Sequence, residues 1–239
     1  MRRRSGLKVF AALSIIIPVR NEGPAIEECL QPLQRYRQGG AEVILVDGGS
    51  VDDTRRYSAP LVDRLVVTEP GRGLQLKRGA ERARGEYLLF LHADTRLPPE
   101  GIEALMRVLA SGRYWGRFDV RLSGRHPLLR IIETFMNLRS CLTGIATGDQ
   151  AMFMTRAAYE QAGRFAEIPL MEDIELSRRL LRIERPVCLR PRAITSSRRW
   201  EQNGIIRTVL LMWRLRFAFF FGADPVRLAQ KYRGRGSSV

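Results

Sequence analysis

Apolar residues along this chain fall into two patterns: short unbroken runs, and longer stretches spaced at three and four residues. Leu13-Ser14-Ile15-Ile16-Ile17-Pro18, Val43-Ile44-Leu45-Val46, Leu65-Val66-Val67 and Tyr87-Leu88-Leu89-Phe90-Leu91 are of the first kind. Runs of this length without polar alternation predict strands buried on both faces. Between them the pattern turns helical. Pro24 opens a helix carried by Ile26, Leu30 and Leu33 and stopped by Gly39-Gly40, with Pro32 predicting a kink or an early end near Gln31. A short helix starts at about Asp52, and a basic one runs from Gly73 to Arg84. Strands and helices alternating in this way predict parallel βαβ units.

Further on, Ile102, Leu105, Met106 and Leu109 give a core-facing helix, Tyr114 to Leu122 alternates as a strand, and Ala151 to Met154 is a short strand. Pro127 to Leu142 predicts a longer helix whose apolar residues cover more than one face, with core packing as the default and a wall of a binding site or docking against the C-terminal helix as the alternatives. Glu172 to Ile183 predicts a helix with its apolar face at Ile174, Leu176, Leu180, Leu181 and Ile183, and a strand precedes Ser196. The expected fold class is therefore α/β: a mostly parallel central sheet flanked by helices, with a helical basic C-terminal extension. Residues 1–12 read as a flexible basic leader, 13–200 as one folded domain and 201–239 as an amphipathic helical extension.

Composition narrows this. At 239 residues the chain can bury a sizeable core as one domain. Cys29, Cys141 and Cys188 are odd in number and in no metal-ligand spacing, which predicts buried apolar fillers in a reducing, cytoplasmic setting. Met1-Arg2-Arg3-Arg4 lacks the apolar run of a signal peptide. The net charge of +15 is lopsided: from Arg178 onward 15 Lys and Arg face three acids, +12, leaving +3 for the first 177 residues. A basic half of that kind suits an anionic partner. Within it, Gly204 to Gly222 is strongly apolar but interrupted by Arg207, Arg214 and Arg216, too often for a spanning helix. Interface burial as a homodimer contact, peripheral attachment to the inner face of a membrane and plain core packing are the alternatives for it.

Candidate chemistry gathers where strands end. Asp47 and Asp94 each close an apolar run, and Arg20-Asn21-Glu22 follows the first strand. In a parallel sheet all three open on one edge, where such sheets bind ligands. Taken alone, an Asp at a strand end also serves as the cap of a turn. Neither a G-x-x-x-x-G-K-[ST] phosphate loop nor a G-x-G-x-x-G fingerprint is present. Gly71-Arg72-Gly73, with Lys77 one turn on, places cations and a helix start near a phosphate.

Four blocks carry a resemblance: Ile15-Ile16-Ile17-Pro18-Val19-Arg20-Asn21-Glu22, Val46-Asp47-Gly48-Gly49-Ser50-Val51-Asp52-Asp53-Thr54, Gly85 to Asp94, and Met171-Glu172-Asp173. Their order resembles the signature of family 2 glycosyltransferases with the GT-A fold, that of nucleotide-diphospho-sugar transferases. Gly148-Asp149-Gln150, Pro169 to Asp173 and Ser196-Ser197-Arg198-Arg199-Trp200 resemble a bacterial subgroup labelled arsenosugar-biosynthesis glycosyltransferases. The resemblance runs from about Leu13 to Arg233.

What it implies is an inverting transfer of a sugar from a UDP- or GDP-sugar to a hydroxyl acceptor, lipid-linked or small. Charge building on the leaving diphosphate calls for Mg²⁺ or Mn²⁺ or fixed cations. Asp94 stands at the end of the family's metal-binding pair and is the implied metal ligand. His92 stands where that pair more often begins with an aspartate, and is expected against the diphosphate or ribose, or packed at the strand end. Pro18, Arg20, Asn21, Glu22, Asp47, Gly48, Arg72, Lys77, Ala93, Arg198 and Arg199 complete the implied nucleotide-sugar set. Gly148, Asp149, Gln150 and Trp200 are the implied sugar or acceptor contacts. Asp173, beside Glu172, matches the family's general base, although two acids at a helix start also answer the helix dipole. Arg199-Trp200 resembles the end of the Q-x-x-R-W motif of processive synthases, but Ser196 replaces the glutamine, so processivity is not implied. A nucleotidyltransferase of related architecture and a non-catalytic basic membrane-surface adaptor are the competing classes. The first predicts a glycine-rich, lysine-bearing loop where Pro18 to Glu22 stands. No nucleic-acid partner is expected.

Overall fold

The protein is described by a computed structural model covering residues 9–233. Most of the basic leader thus lies outside the described residues. Eight strands form one sheet: β1 (Leu13–Val19), β2 (Glu42–Asp47), β3 (Arg64–Val67), β4 (Tyr87–Phe90), β5 (Thr95–Arg96), β6 (Trp115–Leu122), β7 (Phe153–Thr155) and β8 (Val187–Thr195). Their order is β3-β2-β1-β4-β7-β6-β8-β5. The four apolar runs supply the parallel block β3-β2-β1-β4. Beyond it the sheet is mixed: β7 is antiparallel to both β4 and β6, β8 is parallel to β6, and β5 is antiparallel to β8.

Eleven α-helices surround the sheet among the described residues: α1 (Ile26–Leu30), α2 (Gln34–Gln38), α3 (Thr54–Ser58), α4 (Arg72–Arg82), α5 (Gly101–Ala110), α6 (Pro127–Thr143), α7 (Arg156–Gln161), α8 (Glu172–Leu180), α9 (Arg198–Asn203), α10 (Ile205–Phe220) and α11 (Pro225–Arg233). The expected kink at Pro32 is a tight 3-10 turn, Gln31–Leu33, separating α1 from α2. Successive residues of β1 serve opposite faces. Ile15 and Ile17 pack with Val43, Leu45 and the α1 and α5 side, and Ile16 packs with Ile44, Val46 and Leu76 of α4. Covering both faces is why these strands read as unbroken apolar runs. The α4 layer lies so close that a Cβ at Gly79 would stand 2.4 Å from Ile16 Cγ2.

The C-terminal extension is docked. Leu215 of α10 and Leu228 and Ala229 of α11 bury against Leu170 and Met171, the segment that leads into α8. Plain core packing does not hold for the rest of α10, since Ile206, Leu210, Trp213, Phe217 and Phe220 are exposed. Nor does it hold for α6, where Leu128, Ile131, Phe135, Leu138 and Leu142 face outward while Leu129 and Met136 are buried. The cysteine reading also needs correction. Cys29 is buried as expected, but Cys141 and Cys188 form a disulfide with Cα atoms 6.1 Å apart, tying the end of α6 to the start of β8. These two positions lie 47 residues apart, and only the folded arrangement of α6 against the sheet brings them together.

Candidate active site

Because β1, β2 and β4 are parallel, their C-terminal ends share one edge. β1 runs on through Pro18 at little cost. Its ladder with β4 ends at Ile16, whose carbonyl accepts from Leu91 N, so the side on which proline lacks a donor is already unpaired. Just beyond, Asn21 takes a left-handed φ of 52°, and its Oδ1 accepts from Val51 N at 3.0 Å. Asp47 is fully buried. Its carboxylate accepts from Ser50 N at 3.1 and 3.2 Å and from the Ser50 hydroxyl, with Arg55 Nε 3.5 Å away. Gly48 is closed in by Gln75, whose amide would lie 2.9 Å from a Cβ. Pro18, Asn21, Asp47 and Gly48 thus build a self-bonded shelf with Arg20 exposed beside it.

Next to that shelf lies a cavity of about 980 Å³. Its polar end holds Glu22, Arg72, His92 and Asp94 from the strand edge, and Arg198, Arg199 and Trp200 from α9. Glu172 and Asp173 enter from α8, and Gly148 and Asp149 from the loop before β7. Of the expected contacts, Pro18, Arg20, Asn21, Asp47 and Gly48 stay on the shelf outside the lining, and three more do not reach it. Lys77 points along α4 to Glu167 at 2.7 Å. Gln150 is fully buried and closes a reciprocal cap with Thr147, holding its own loop in shape. Ala93 also stands outside the cavity lining.

Asp94 is exposed at the end of the strand edge, and its backbone carbonyl accepts from Ser196 N at 3.2 Å. Glu22 beside it is half-buried. Burial raises its pKa, Arg198 at 3.8 Å opposes this, and the Asp94 charge adds to the rise. Across the cavity Met171 takes a left-handed φ of 70° immediately before α8 and turns the next two acids toward the cavity. For a non-glycine residue that conformation carries strain of roughly 1–3 kcal/mol. Asp173 Oδ2 accepts from Gly148 N at 2.8 Å and its Oδ1 from Ile174 N at 2.7 Å, so two backbone donors fix the carboxylate. Glu172 is buried and lies 3.3 Å from Arg72 Nε. Burial pushes its carboxyl up, against the pull of Arg72. Its first role is to hold that guanidinium at the cavity wall.

His92 takes the packed alternative at the strand end while still lining the cavity. Its Nε2 is buried without a hydrogen-bond partner among the described residues. A Cβ on Gly148 would stand 2.3 Å from that atom, so only glycine leaves room for the ring. Burial, with the Arg72 charge adding to it, pushes its pKa down to about 3, which leaves the imidazole neutral near pH 7.

Two charged cavity residues were not expected at the site, Arg139 of α6 and Arg216 of α10. Arg139 Nε and Nη2 are buried and donate to nothing among the described residues. Burial and the neighbouring Arg216 lower its pKa to about 10. The signal was available: Ile132, Met136 and Arg139 share one helix face, and a cation on an apolar face has a reason to be there.

Among the described residues, no group of three or more His, Cys, Asp or Glu is arranged as a metal cage. The donor set at the strand edge is the Asp94 carboxylate with Glu22 near it. That set fits a hard cation held by one or two carboxylates together with substrate phosphates, and does not fit one needing a full protein cage.

A parallel block with polar loops at its strand ends, continued by a mixed half-sheet, defines a GT-A-like fold. Solved structures of similar shape agree. TarS from S. aureus superposes with a TM-score of 0.63 at 18% identity, over 77% of this chain and 60% of that one. The mannosyltransferase PcManGT from Pyrobaculum calidifontis, solved with GDP-Man and Mn²⁺, gives a TM-score of 0.61 at 20% identity, over 87% and 61%. The chain belongs to glycosyl transferase family 2, which matches residues 14–162. Among named relatives, a PGL/p-HBAD biosynthesis glycosyltransferase of Mycobacterium bovis is 38% identical over 91 residues, 35% of this chain and 36% of that protein. The matched segment thus spans about a third of the length of that relative.

Proposed function

We propose that this protein transfers a sugar from a nucleoside-diphosphate sugar to a hydroxyl acceptor, with inversion and with Asp173 as the general base. The observation that carries the reading is that Asp173 and Asp94 line one cavity together with Arg72, Arg198 and Arg199. The acceptor oxygen bonds to the anomeric carbon, the bond from that carbon to the diphosphate breaks, and the acceptor proton passes to Asp173. Arg72, kept in place by buried Glu172, faces the negative charge that develops on the leaving group, and Arg198 and Arg199 add to that field. A divalent cation bound with the donor would be held by Asp94 and would neutralise the same charge. The neutral ring of His92 supports the packing of the Gly148 loop, whose N–H orients Asp173.

The donor class is supported by neighbours solved with GDP-Man and with UDP-GlcNAc, and Mg²⁺ or Mn²⁺ by the Mn²⁺ in the first of them. A thermal-shift panel of UDP, GDP and their sugars, with and without Mn²⁺, tests the reading, since a ligand that binds only the folded state raises its stability. One nucleoside diphosphate is expected to raise the melting temperature in a metal-dependent way. No shift with any of them sinks the proposal.

A further inference from the structure

The cavity has a second end that the transfer reaction leaves unused. Away from Asp94 its walls are Ile131, Ile132, Phe135 and Met136 of α6 and Val209, Met212 and Trp213 of α10. Three of these, Ile131, Phe135 and Trp213, are also more than half exposed. They belong to two outward stripes. Leu128, Ile131, Phe135, Leu138 and Leu142 follow one face of α6, and Ile206, Leu210, Trp213, Phe217 and Phe220 follow one face of α10. The cavity mouth is therefore rimmed by the same side chains that form the exposed apolar stripes.

Within this end sits a cation pair with no anion of its own. Arg139 has two buried unpartnered nitrogens, and Arg216, on the facing helix, makes no ion pair among the described residues. Asp149 shares the space, but it accepts from the Thr147 hydroxyl, and burial pushes its carboxyl up despite Arg216 and Arg139. Asp149 and Asp173 both act on Arg139, but each already accepts hydrogen bonds, and the buried Arg139 donors are left without acceptors, which is costly to keep.

We infer that the α6–α10 end of the cavity is an acceptor subsite for a phosphate-bearing lipid. Arg139 and Arg216 hold its phosphate, its chain lies between the two helices, and its free hydroxyl reaches Asp173. This rests on the transfer reaction proposed above. A membrane, rather than a second copy of the chain, covers the stripes. The exposed residues of α6 and α10 include Arg207 and Arg214 but no carboxylate, so two copies would bring like charges together, whereas anionic lipid complements them. No helix among the described residues is long and apolar enough to cross a membrane, which fits a face that lies on one.

The test compares three probes: dodecyl phosphate, dodecyl maltoside as a neutral chain and inorganic phosphate as an anion without a chain. All are used below their micelle-forming concentrations. Binding is read from the fluorescence of Trp200 and Trp213, which both line the cavity. Dodecyl phosphate is expected to bind at least tenfold more tightly than either control. Arg139→Gln should lower that affinity about tenfold to a hundredfold, the scale of a lost charged hydrogen bond, and leave dodecyl maltoside unchanged. Phe135→Ser should weaken both chain-bearing probes. Affinity for the nucleoside diphosphate, measured on the same variants, should not move. Equal binding of inorganic phosphate and dodecyl phosphate would make this a plain anion site and overturn the inference. So would a matching loss of nucleoside-diphosphate affinity in Arg139→Gln, which would assign the pair to the donor. If dodecyl phosphate behaves as expected while no nucleoside diphosphate binds, the subsite stands and the transfer reaction falls.

Discussion

Substituting Gly148 by alanine perturbs the two most unusual groups of the site at once. Gly148 does not have a left-handed backbone, so alanine is tolerated there conformationally. The obstacle is steric: the added Cβ would stand 2.3 Å from His92 Nε2 and 2.4 Å from Cε1. Ordinary contact begins near 3.5 Å, so the ring or the loop must give way by about 1 Å. The His92 ring is packed at the end of β4, and the loop carries the N–H that bonds Asp173 at 2.8 Å. Forcing an extra methyl into such packing costs about 1–3 kcal/mol. For a chain of this size that is a fall in melting temperature of about 2–12 °C. Shifting the base by about 1 Å costs turnover about a hundredfold. The assay is steady-state transfer to a verified acceptor, with kcat and KM separated, beside thermal unfolding. Gly148→Ala should lose kcat with little change in KM for the donor, and the double variant Gly148→Ala/His92→Ala should recover much of the stability because the ring is gone. Wild-type kcat and melting temperature in Gly148→Ala, or no recovery in the double variant, would refute the proposed coupling of His92 to Asp173.

Four further outcomes are expected. Asp173→Asn should keep nucleoside-diphosphate-sugar binding and lose about 10²–10⁴-fold in kcat, the usual worth of a positioned base, as read by calorimetry beside turnover. Asp94→Ala should abolish the Mn²⁺ dependence of donor binding in the thermal-shift assay. Because His92 titrates at about 3 in the folded protein against 6.5 as a free side chain, the unfolded state binds the extra proton between those values. Stability should therefore fall as pH drops through that window, by at most about 1.4 kcal/mol per pH unit from this group, and His92→Gln should flatten the slope in denaturant titrations. Reducing the Cys141–Cys188 bridge opens a 47-residue loop, and the chain-entropy estimate for it is about 4 kcal/mol. Dithiothreitol should lower the melting temperature of the wild type and leave a Cys141→Ser/Cys188→Ser variant unaffected.

The first half of the fold was legible because burial on both faces writes itself into sequence as unbroken apolar runs. β1, β2, β3 and β4 begin and end within a residue of the expected positions. In the other half β6, β7 and the end of β8 were legible as strands, but their mixed pairing and β5 were not. Phe153–Thr155 is apolar whether it pairs parallel or antiparallel, and the two residues of β5 carry no periodicity to read. Of the cavity residues, Arg72 and Asp94 stood out as charges at a helix start and a strand end, whereas His92, Asp149 and Asp173 were named through the family resemblance. Lys77 and Gln150 were misread for one reason: sequence supplies spacing but not partners, and each has a partner elsewhere, Glu167 for the lysine and Thr147 for the glutamine. Arg139 was missed for the converse reason, since its meaning comes from lacking one.

The pairing of β5 with β8 bears on how the protein is made. Thr95 and Thr195 stand opposite each other and share a buried hydroxyl–hydroxyl bond of 3.0 Å across 100 residues of sequence. Contacts that close so long a loop form slowly, and in synthesis they must wait for the later strand to leave the ribosome. The parallel block from β1 to β4 depends on no such wait. A nascent chain can thus carry a largely formed half-sheet while Asp94 still lacks the β8 end and the Ser196 N–H that hold its loop. The Asp94 carboxylate is set in place only after β8 has been translated, so on the proposed reading the ability to bind a donor is a late product of folding.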